Sequence, residues 1–466
     1  MIGHEEIKNL VTEWNIREDV IEKDYVIGWV LWGIGQDNDL KDKWIFKGGT
    51  CLKKCYLETY RFSEDLDFTL LPDAPISPDD VLSILNRILE RVAEESGINF
   101  SVKPPQLKQQ KDFPLYTEGR IYYQGPRNAP TPSRIKLDLS AAEKVIRPPV
   151  LRQIAHNAYS DKLPEPAQVL CYSLEEIFAE KIRAMGERGF PRDLYDIVFL
   201  FRNGYFQSNP ELIKSVLVSK CESKNVPPPT LERIKNFPSL NELRTEWSNM
   251  LAHQLPKLPE FEEFFNELPK LFDWLERKYT PKTLQTIPAG RNEEIGWRPP
   301  IGAFSWNLGI PLESIRFAAV NHLCIALGYK GTIRIVEPYS LRRTKENNLL
   351  LYAIKVDTRE LRSYRVDRIK SIEVTDKAFQ PVYQIEFSPL GDIYAPPTHR
   401  EATLKYPSFR EKSYKTSYGP KYIFECSICG KRFKRSKYDS ILKPHKDKSG
   451  RDCFGRVGIF IETKYD

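Results

Sequence analysis

The stretch that most limits how this chain can fold is FKGGTCLKKCYLETYRFSEDLDFTLL, residues 46–71. Near its end the alternation of polar and apolar residues predicts a strand with Asp65, Asp67 and Thr69 on one face. Carboxylates on one face repel each other, and these two lie roughly 7 Å apart along the backbone. A bound cation removes that repulsion, and pairs of Mg²⁺ ions serve phosphoryl transfer. The strand therefore predicts a Mg²⁺ site, although a solvated edge strand gives the same pattern.

The residues ahead of this strand predict a strand, a glycine turn and the start of a helix. Gly48 and Gly49 allow the backbone to approach phosphate oxygens closely, and Thr50 is expected to cap the helix that follows. The free N–H groups at a helix start favour an anion. A third carboxylate is predicted from RIKLDLS, where the strand pattern leaves Asp138 on the polar face. Together these features favour the metal site over the solvated strand.

A second cluster lies in residues 174–201, where helical spacing places Lys181 within an apolar stripe. A buried ammonium group needs an anionic partner, and a nucleotide phosphate would supply one. Asp193 and Asp196 fall in the first turn of the next predicted helix. Two alternatives stay open here: Lys181 can reach solvent or pair with a structural acid, and acids in a first helical turn complement the helix dipole.

Residues 15–205 resemble the AbiEii/AbiGii nucleotidyltransferase toxin family through three segments, FKGGTCLKKCYL, RFSEDLDF and EEIFAEKIRAMGERGFPRDLYDIVFL. The resemblance implies an α/β (α+β) domain with the polymerase-β-like nucleotidyltransferase fold, at work in toxin–antitoxin or phage-defence systems. It assigns Mg²⁺ binding to Asp65 and Asp67. With Asp138 added from the strand pattern, the expected catalytic residues are Asp65, Asp67, Asp138, Lys181 and Asp196. The expected nucleotide-binding residues are Gly48, Gly49, Thr50, Ser63, Lys181, Arg183 and Asp193.

For such a domain we expect Mg²⁺-dependent transfer of a nucleotide from an NTP to an RNA acceptor, with tRNA the first candidate. A cognate antitoxin protein is an expected partner. The alternative function is a regulator without catalysis, in which this fold binds nucleotide and later modules bind nucleic acid. The intact acidic pair favours the enzyme, because a domain that only binds nucleotide tolerates its loss.

The rest of the chain divides into modules by periodicity and composition. A helical extension is predicted at 206–280, after a catalytic domain at 1–205. The proline-rich segments 281–300 and 388–400 are predicted linkers. Between them, residues 301–387 resemble a WYL domain through RIVEPYSLRR and RSYRVDRI. That resemblance implies a small Sm-like β-barrel that senses a nucleotide or binds nucleic acid.

Three arginines in the WYL-like segment are candidate contacts for a regulatory nucleotide or nucleic acid. Arg362, Arg365 and Arg368 recur every third residue, so a strand would place 362 and 368 on one face. A solvated basic edge explains the spacing equally well.

Residues 401–466 predict a basic module held together by zinc. Cys426 and Cys429 form a C-x₂-C pair, and His445 and Cys453 complete a Cys₃His set suited to a tetrahedral, structural Zn²⁺. Residues 400–466 carry 17 Lys and Arg against 8 Asp and Glu, a net charge of +9, within a chain of net charge +7. This local charge predicts contact with nucleic acid, unless it serves solubility. The candidate contacts are Lys431, Arg432, Lys434 and Arg435.

Composition indicates the compartment of the protein and the role of its cysteines. The longest apolar run is too short to span a membrane, and the N-terminus lacks the pattern of a signal peptide, so we expect a cytoplasmic protein without a membrane partner. Eight cysteines in 466 residues do not indicate a disulfide framework. Cys51 and Cys55 are expected to be small core residues, with redox sensitivity the less favoured interpretation.

Overall fold

The computed structural model describes residues 1–57, 59–110, 113–206, 209–236, 240–294, 312–387, 421–435 and 440–464. It contains two compact units, Met1–His399 and Arg400–Asp466. The predicted linker 388–400 lies outside the described residues. None of the described helices has the length and apolar character that crossing a bilayer requires. The remaining domain boundaries stay predictions.

The helices of the first unit are mostly short. They are α1 (His4–Trp14), α2 (Glu18–Gln36), α3 (Gly48–Cys51), α4 (Pro78–Ser96), α5 (Leu174–Arg188), α6 (Pro191–Arg202), α7 (Pro210–Ser223), α8 (Leu231–Lys235), α9 (Leu240–Leu251), α10 (Phe261–Phe265), α11 (Leu268–Leu275) and α12 (Leu312–Val320). A π-helical turn, Leu52–Tyr56, continues α3.

The strands of the described residues fall into four sheets. Those of the first unit are β1 (Trp44–Lys47), β2 (Asp65–Leu70), β3 (Gln106–Gln110), β4 (Phe113–Tyr123), β5 (Ser133–Ser140), β6 (Val150–Gln153), β7 (Gln168–Cys171), β8 (Leu323–Tyr329), β9 (Thr332–Arg343), β10 (Leu349–Lys355), β11 (Leu361–Arg365) and β12 (Ile369–Ala378). Those of the second unit are β13 (Lys421–Cys426), β14 (Arg432–Arg435), β15 (His445–Lys446), β16 (Asp452–Cys453) and β17 (Gly458–Lys464).

The first sheet fixes the register of the acidic strand. Its seven strands run in the order β3-β4-β5-β2-β1-β7-β6, with β2 antiparallel to β1 and parallel to β5. Neighbours on both sides bond the backbone of β2, so its register cannot slip without exposing its apolar face. Asp67 lies opposite Lys47 of β1 and beside Asp138 of β5. The mixed α/β fold expected from the sequence is confirmed.

The apolar face of β2 anchors the strand in the core. Leu66, Phe68 and Leu70 are all buried, as the alternation predicts. Each such side chain contributes about 1.5–3 kcal/mol of burial to the free energy of unfolding. Helix α2 closes one side of the sheet, and a Cβ at its Gly35 would lie 2.0 Å from the carbonyl oxygen of Gln168 on β7. Glycine is needed there because the helix and the strand approach so closely.

A second sheet forms the WYL-like part of the first unit. It is antiparallel, in the order β11-β10-β9-β8-β12, and α12 packs against it. Where the sequence predicts a closed barrel, the edge strands β11 and β12 do not pair in the described part of the chain. Residues 281–294, from a predicted linker, lie on this sheet: Ile287 is buried, and Arg342 donates to its carbonyl oxygen at 2.6 Å.

The second unit has little apolar core. One sheet has the order β14-β13-β17, and β15 pairs with β16. Its buried cluster holds Phe424, Cys426, Leu442 and Cys453, two of which are thiols. A core this small rarely stabilises a fold without a metal or disulfides.

Candidate active site

The acidic face of β2 borders a cleft of about 730 Å³, a volume typical of ligand sites. Gly48, Asp67, Asp138, Lys181 and Arg183 all line it, so five predicted site residues lie together. The acids of the strands and the cations of α5 therefore line one cleft, together with Glu180 and Glu187 of the same helix.

Asp65 lies next to this cleft on the same strand. Its carboxylate is 40% exposed and lies 4.0 Å from Nη1 of Arg192. The carboxylate oxygens of Asp65, Asp67 and Asp138 do not all converge within 4.8 Å in the described residues, in contrast to two thiol clusters elsewhere in the chain.

The electrostatics around Asp65, Asp67 and Asp138 fit a divalent cation. Burial raises the pKa of Asp67 to about 6, and the nearby carboxylates of Asp138 and Asp65 add to this against the opposing charge of Lys47. Burial also raises the pKa of Asp65. One oxygen of Asp138 accepts from Lys136 at 2.8 Å, whereas Oδ1 is buried without a hydrogen-bond partner. Buried carboxylates that raise each other's pKa, one of them with an oxygen that has no hydrogen-bond partner, suit Mg²⁺, which prefers oxygen ligands.

The glycine turn packs directly on the acids. Gly48 has φ +80°, and a Cβ there would lie 2.4 Å from Oδ2 of Asp67. A Cβ at Gly49 would lie 2.6 Å from Nη2 of Arg61 and 3.0 Å from Oγ of Ser63. A side chain at either position would force these groups to shift, and the positive φ of Gly48 adds backbone strain for any other residue. Ser63 is buried behind the turn.

Thr50 does not cap a helix, which corrects the sequence prediction. Helix α3 begins at Gly48, two residues earlier. Thr50 is fully buried, and its hydroxyl donates to the carbonyl oxygen of Asp65 at 2.5 Å. With that hydroxyl occupied and out of the cleft, the side chain holds the start of the acidic strand instead of a triphosphate.

Lys181 pairs with structural acids, one of the two alternatives that the sequence leaves open. Its Nζ lies 2.8 Å from Asp196 and 3.4 Å from Asp193, and the side chain is 12% exposed at the cleft. Asp193 is fully buried and also accepts from Nε of Arg188 at 2.8 Å. Both acids therefore fix cations beneath the cleft wall.

Asp196 is a positioning residue, which corrects its expected catalytic role. It has no exposed surface with which to touch a substrate. Arg61, itself buried, donates to its two oxygens at 2.6 and 2.8 Å, and Tyr60 donates to it as well. Burial acts to raise the pKa of Asp196, but the charges of Arg61 and Lys181 outweigh it and hold that pKa below its ordinary value.

Sequence reasoning missed a buried ion network whose members Lys47, Glu143 and Glu180 line the same cleft. Lys47 is 8% exposed and binds Glu143 and, at 3.2 Å, Glu180. Lys220, 3% exposed, lies 2.7 Å from Glu176 and 3.3 Å from Glu180. A lysine inside the apolar strand segment WIFK was the available signal, because a buried ammonium requires acids nearby.

The three WYL-region arginines do not share the predicted strand. Arg368 lies in a 3₁₀ turn after β11, so the alternation that would place it beside Arg362 is interrupted. Arg362 pairs with Glu360 at 2.7 Å and Arg365 with Asp367 at 2.8 Å. Both charges are neutralised locally, as in a solvated basic edge.

The cysteines and histidine of the tail gather as the spacing predicts. The ligand atoms of Cys426, Cys429, His445 and Cys453 all lie within 4.8 Å of one another. Sγ of Cys429 is 3.3 Å from Nε2 of His445, whose Nδ1 lies 2.9 Å from the carbonyl oxygen of Lys443. Such a backbone partner orients the other ring nitrogen toward a metal.

The basic residues of the tail lie around β14. Arg432 and Lys434 are exposed on one face of the strand, and Arg432 lies 2.8 Å from Glu425. Arg435 donates to the carbonyl oxygen of Ile441 at 2.7 Å, and Lys431 to that of Lys446 at 3.1 Å. The backbone contacts fix these two side chains, and no acid among the described residues of the tail pairs with either charge.

Comparison with known proteins agrees with this geometry. The family model described as the nucleotidyl transferase AbiEii toxin, type IV toxin–antitoxin system, matches residues 29–274, more than half of the chain. A WYL domain model matches residues 312–374. Among solved structures, MenT4, a nucleotidyltransferase toxin of Mycobacterium tuberculosis H37Rv, is 18% identical over 59% of this chain and 90% of its own, with a TM-score of 0.43. That likeness is too weak to bear on function. No curated protein matches the chain.

Proposed function

This chain belongs to the AbiEii nucleotidyltransferase toxin family, and we propose that it transfers a nucleotide from an NTP to an RNA acceptor, with tRNA the first candidate. Membership in the family makes it a nucleotidyltransferase, an activity that implies an NTP substrate and a divalent metal, and a cognate antitoxin is part of the proposal. The observation that carries the proposal is the cleft that Asp67 and Asp138 line together with Lys181 and Arg183. Acids and cations around one cleft suit a triphosphate held together with a cation.

The proposed mechanism follows from the residues that line the cleft. Asp65, Asp67 and Asp138 would hold Mg²⁺, which when bound activates an acceptor hydroxyl and neutralises the charge that develops on the phosphates. Lys181 and Arg183 would steady the triphosphate, because both line the cleft. Asp196 keeps Lys181 in place, and the missing side chain at Gly48 lets the glycine turn pack directly on Asp67.

The rim of the cleft supports a nucleic-acid acceptor. Phe113 and Leu115 line the cleft and are 62% and 51% exposed. Exposed aromatic and apolar side chains beside a charged groove provide stacking surfaces for unpaired bases. The basic tail would add phosphate contacts, whose strength falls as salt rises.

The proposal is tested by incubating the protein with total RNA, Mg²⁺ and each α-labelled NTP in turn. We expect one NTP to label RNA, and removal of divalent metal with EDTA to abolish the label. Deleting residues 400–466 should raise the RNA concentration needed for half-maximal transfer while leaving the NTP dependence unchanged. NTP binding without transfer to any RNA would instead identify a regulator. RNA dependence unchanged by the deletion would remove the tail from RNA binding.

We also propose that the tail binds one structural Zn²⁺ through Cys426, Cys429, His445 and Cys453. Four protein ligands leave no open position for catalysis. Cys426→Ser should lower the zinc content by one ion per chain and unfold the module, since metal binding and folding are coupled in such sites. Metal analysis and limited proteolysis of the tail measure the two effects. Cys324→Ser, at a solitary buried thiol, is the matched control, and equal zinc content in both variants would contradict the assignment.

A further inference from the structure

Three thiols meet in the core directly behind the glycine turn. Cys51 ends α3, Cys55 lies in the π-helical turn and Cys171 ends β7. Each is 0% exposed, and the three sulfur atoms all lie within 4.8 Å of one another. One continuous helical segment, α3 with its π-helical turn, therefore delivers two thiols, and β7 delivers the third, to a single buried point.

Other cysteines show how this chain uses thiols in its core. Cys221 and Cys324 are also buried, and neither belongs to a metal-type cluster among the described residues. A thiol in that setting is a small apolar residue. The cluster of Cys51, Cys55 and Cys171 differs because it concentrates soft donor atoms, and because one of them lies on a π-helical turn. Such turns are rare and are frequent at functional sites.

The dimensions and the donor type fit a soft cation. Sulfurs bound to Zn²⁺ at about 2.3 Å lie about 4 Å apart, which falls inside the spacing of this cluster. Thiolates select zinc and softer metals over Mg²⁺, so the cluster would not compete for the ion of the acidic strand.

The surrounding charge favours a divalent over a monovalent ion. Three thiolates around a divalent cation leave one negative charge, and a buried charge needs a partner. Arg152 supplies it: its Nε donates to the carbonyl oxygen of Cys55 at 3.2 Å, and its guanidinium lies 4.5 Å from the ring centre of Tyr56. A monovalent cation would leave a second negative charge buried.

We propose that Cys51, Cys55 and Cys171 form a second thiolate site in this chain, for a divalent d¹⁰ cation such as Zn²⁺ or its heavier analogue Cd²⁺. The bound ion links the π-helical turn and β7 to the strand that carries the glycine turn. Cys51 directly follows Thr50, and Cys171 pairs with Phe46 of β1. Occupancy therefore stabilises the frame of the cleft without contacting the substrate.

The test uses the full chain with Cys426→Ser, Cys429→Ser and Cys453→Ser, which removes the tail thiols. We expect this protein to bind one Cd²⁺ per chain, to show thiolate-to-cadmium absorption in the ultraviolet, and to unfold at a higher temperature with Cd²⁺ than in EDTA. Adding Cys55→Ala or Cys171→Ala should abolish all three signals. Adding Cys221→Ala or Cys324→Ala should abolish none of them.

A second measurement covers the case in which a core variant fails to fold. In the chain with an intact thiol cluster, partial denaturation and alkylation are followed by mass spectrometry. Cd²⁺ should protect Cys51, Cys55 and Cys171 from alkylation and leave Cys221 and Cys324 as reactive as before. The proposal is overturned if Cd²⁺ protects none of the three, or if the protein without tail thiols binds no Cd²⁺. A disulfide within the cluster of the natively purified chain would also overturn it.

Discussion

Asp67→Asn is expected to lower nucleotidyl transfer roughly a thousandfold, because the variant loses a metal ligand worth several kcal/mol of charge stabilisation. Asp67 lies in the cleft, opposite Lys47 and beside Asp138, so no other carboxylate of the described site can replace it in register. Initial rates with the labelled NTP measure the effect. Asp79→Asn, at an exposed acid in the first turn of α4, is the matched control and should retain full activity.

The same variant should not lose stability in the absence of metal. The folded-state pKa of Asp67 is raised to about 6 from 3.8, so the folded protein binds this proton more tightly than the unfolded chain does. The free energy of unfolding of the natural protein should therefore fall as the pH rises from 3.8 through about 6. Asn carries no such charge, so in EDTA above this range the variant should be at least as stable, and the difference should vanish below it.

Urea unfolding of both proteins across this pH range measures the difference. Near-normal transfer by Asp67→Asn would show that the residue holds no essential metal. A variant that is much less stable than the natural protein above the range would show that its carboxylate is a structural partner instead.

Asp196→Asn is expected to lower the free energy of unfolding by about 3–5 kcal/mol, the usual cost of breaking a buried ion pair. The amide keeps the shape of the carboxylate but leaves the charge of Arg61 without its counter-charge, and Lys181 keeps only Asp193, at 3.4 Å. All three groups are almost fully buried, with side chains 1%, 12% and 0% exposed for Arg61, Lys181 and Asp196. Chemical denaturation with a constant m-value measures the loss.

A second Arg–Asp pair provides the matched control. Arg365 donates to Asp367 with the same two-bond geometry, at 3.0 and 2.8 Å, but the side chains are 36% and 53% exposed. Asp367→Asn should therefore cost less than about 1 kcal/mol. Equal losses in the two variants would contradict the structural role assigned to the buried pair.

The sequence predicts the acidic strand and the tail cluster because each depends on local spacing. Alternation places Asp65 and Asp67 on one face wherever the strand lies in the sheet. The tail cluster likewise follows from spacing, because the C-x₂-C pair can meet His445 and Cys453 when the short segment between them folds back. The family resemblance predicted the fold, and the mixed sheet around β2 agrees with that prediction.

The roles of buried polar groups could not be read from spacing, because their partners come from distant segments. Thr50 was expected to cap a helix, yet its hydroxyl binds the backbone of Asp65, 15 residues away. Asp196 was expected at the substrate, yet Arg61 reaches it across 135 residues of chain. Asp196 also lies beyond the first turn of α6, where the sequence had placed it with Asp193. An acid near the start of a helix carries the same sequence signal in both roles, and burial decides between them.

The most direct test of the account compares two labels on the NTP that supports transfer. With α-labelled NTP, the label should appear in RNA, and with γ-labelled NTP it should appear in pyrophosphate, in equal amounts. This pattern requires attack on the α-phosphate with loss of pyrophosphate, the reaction that the acidic strand and the cations of α5 are proposed to support. A γ-label recovered in RNA, or a bound NTP whose labels stay in place, would contradict nucleotidyl transfer at this cleft.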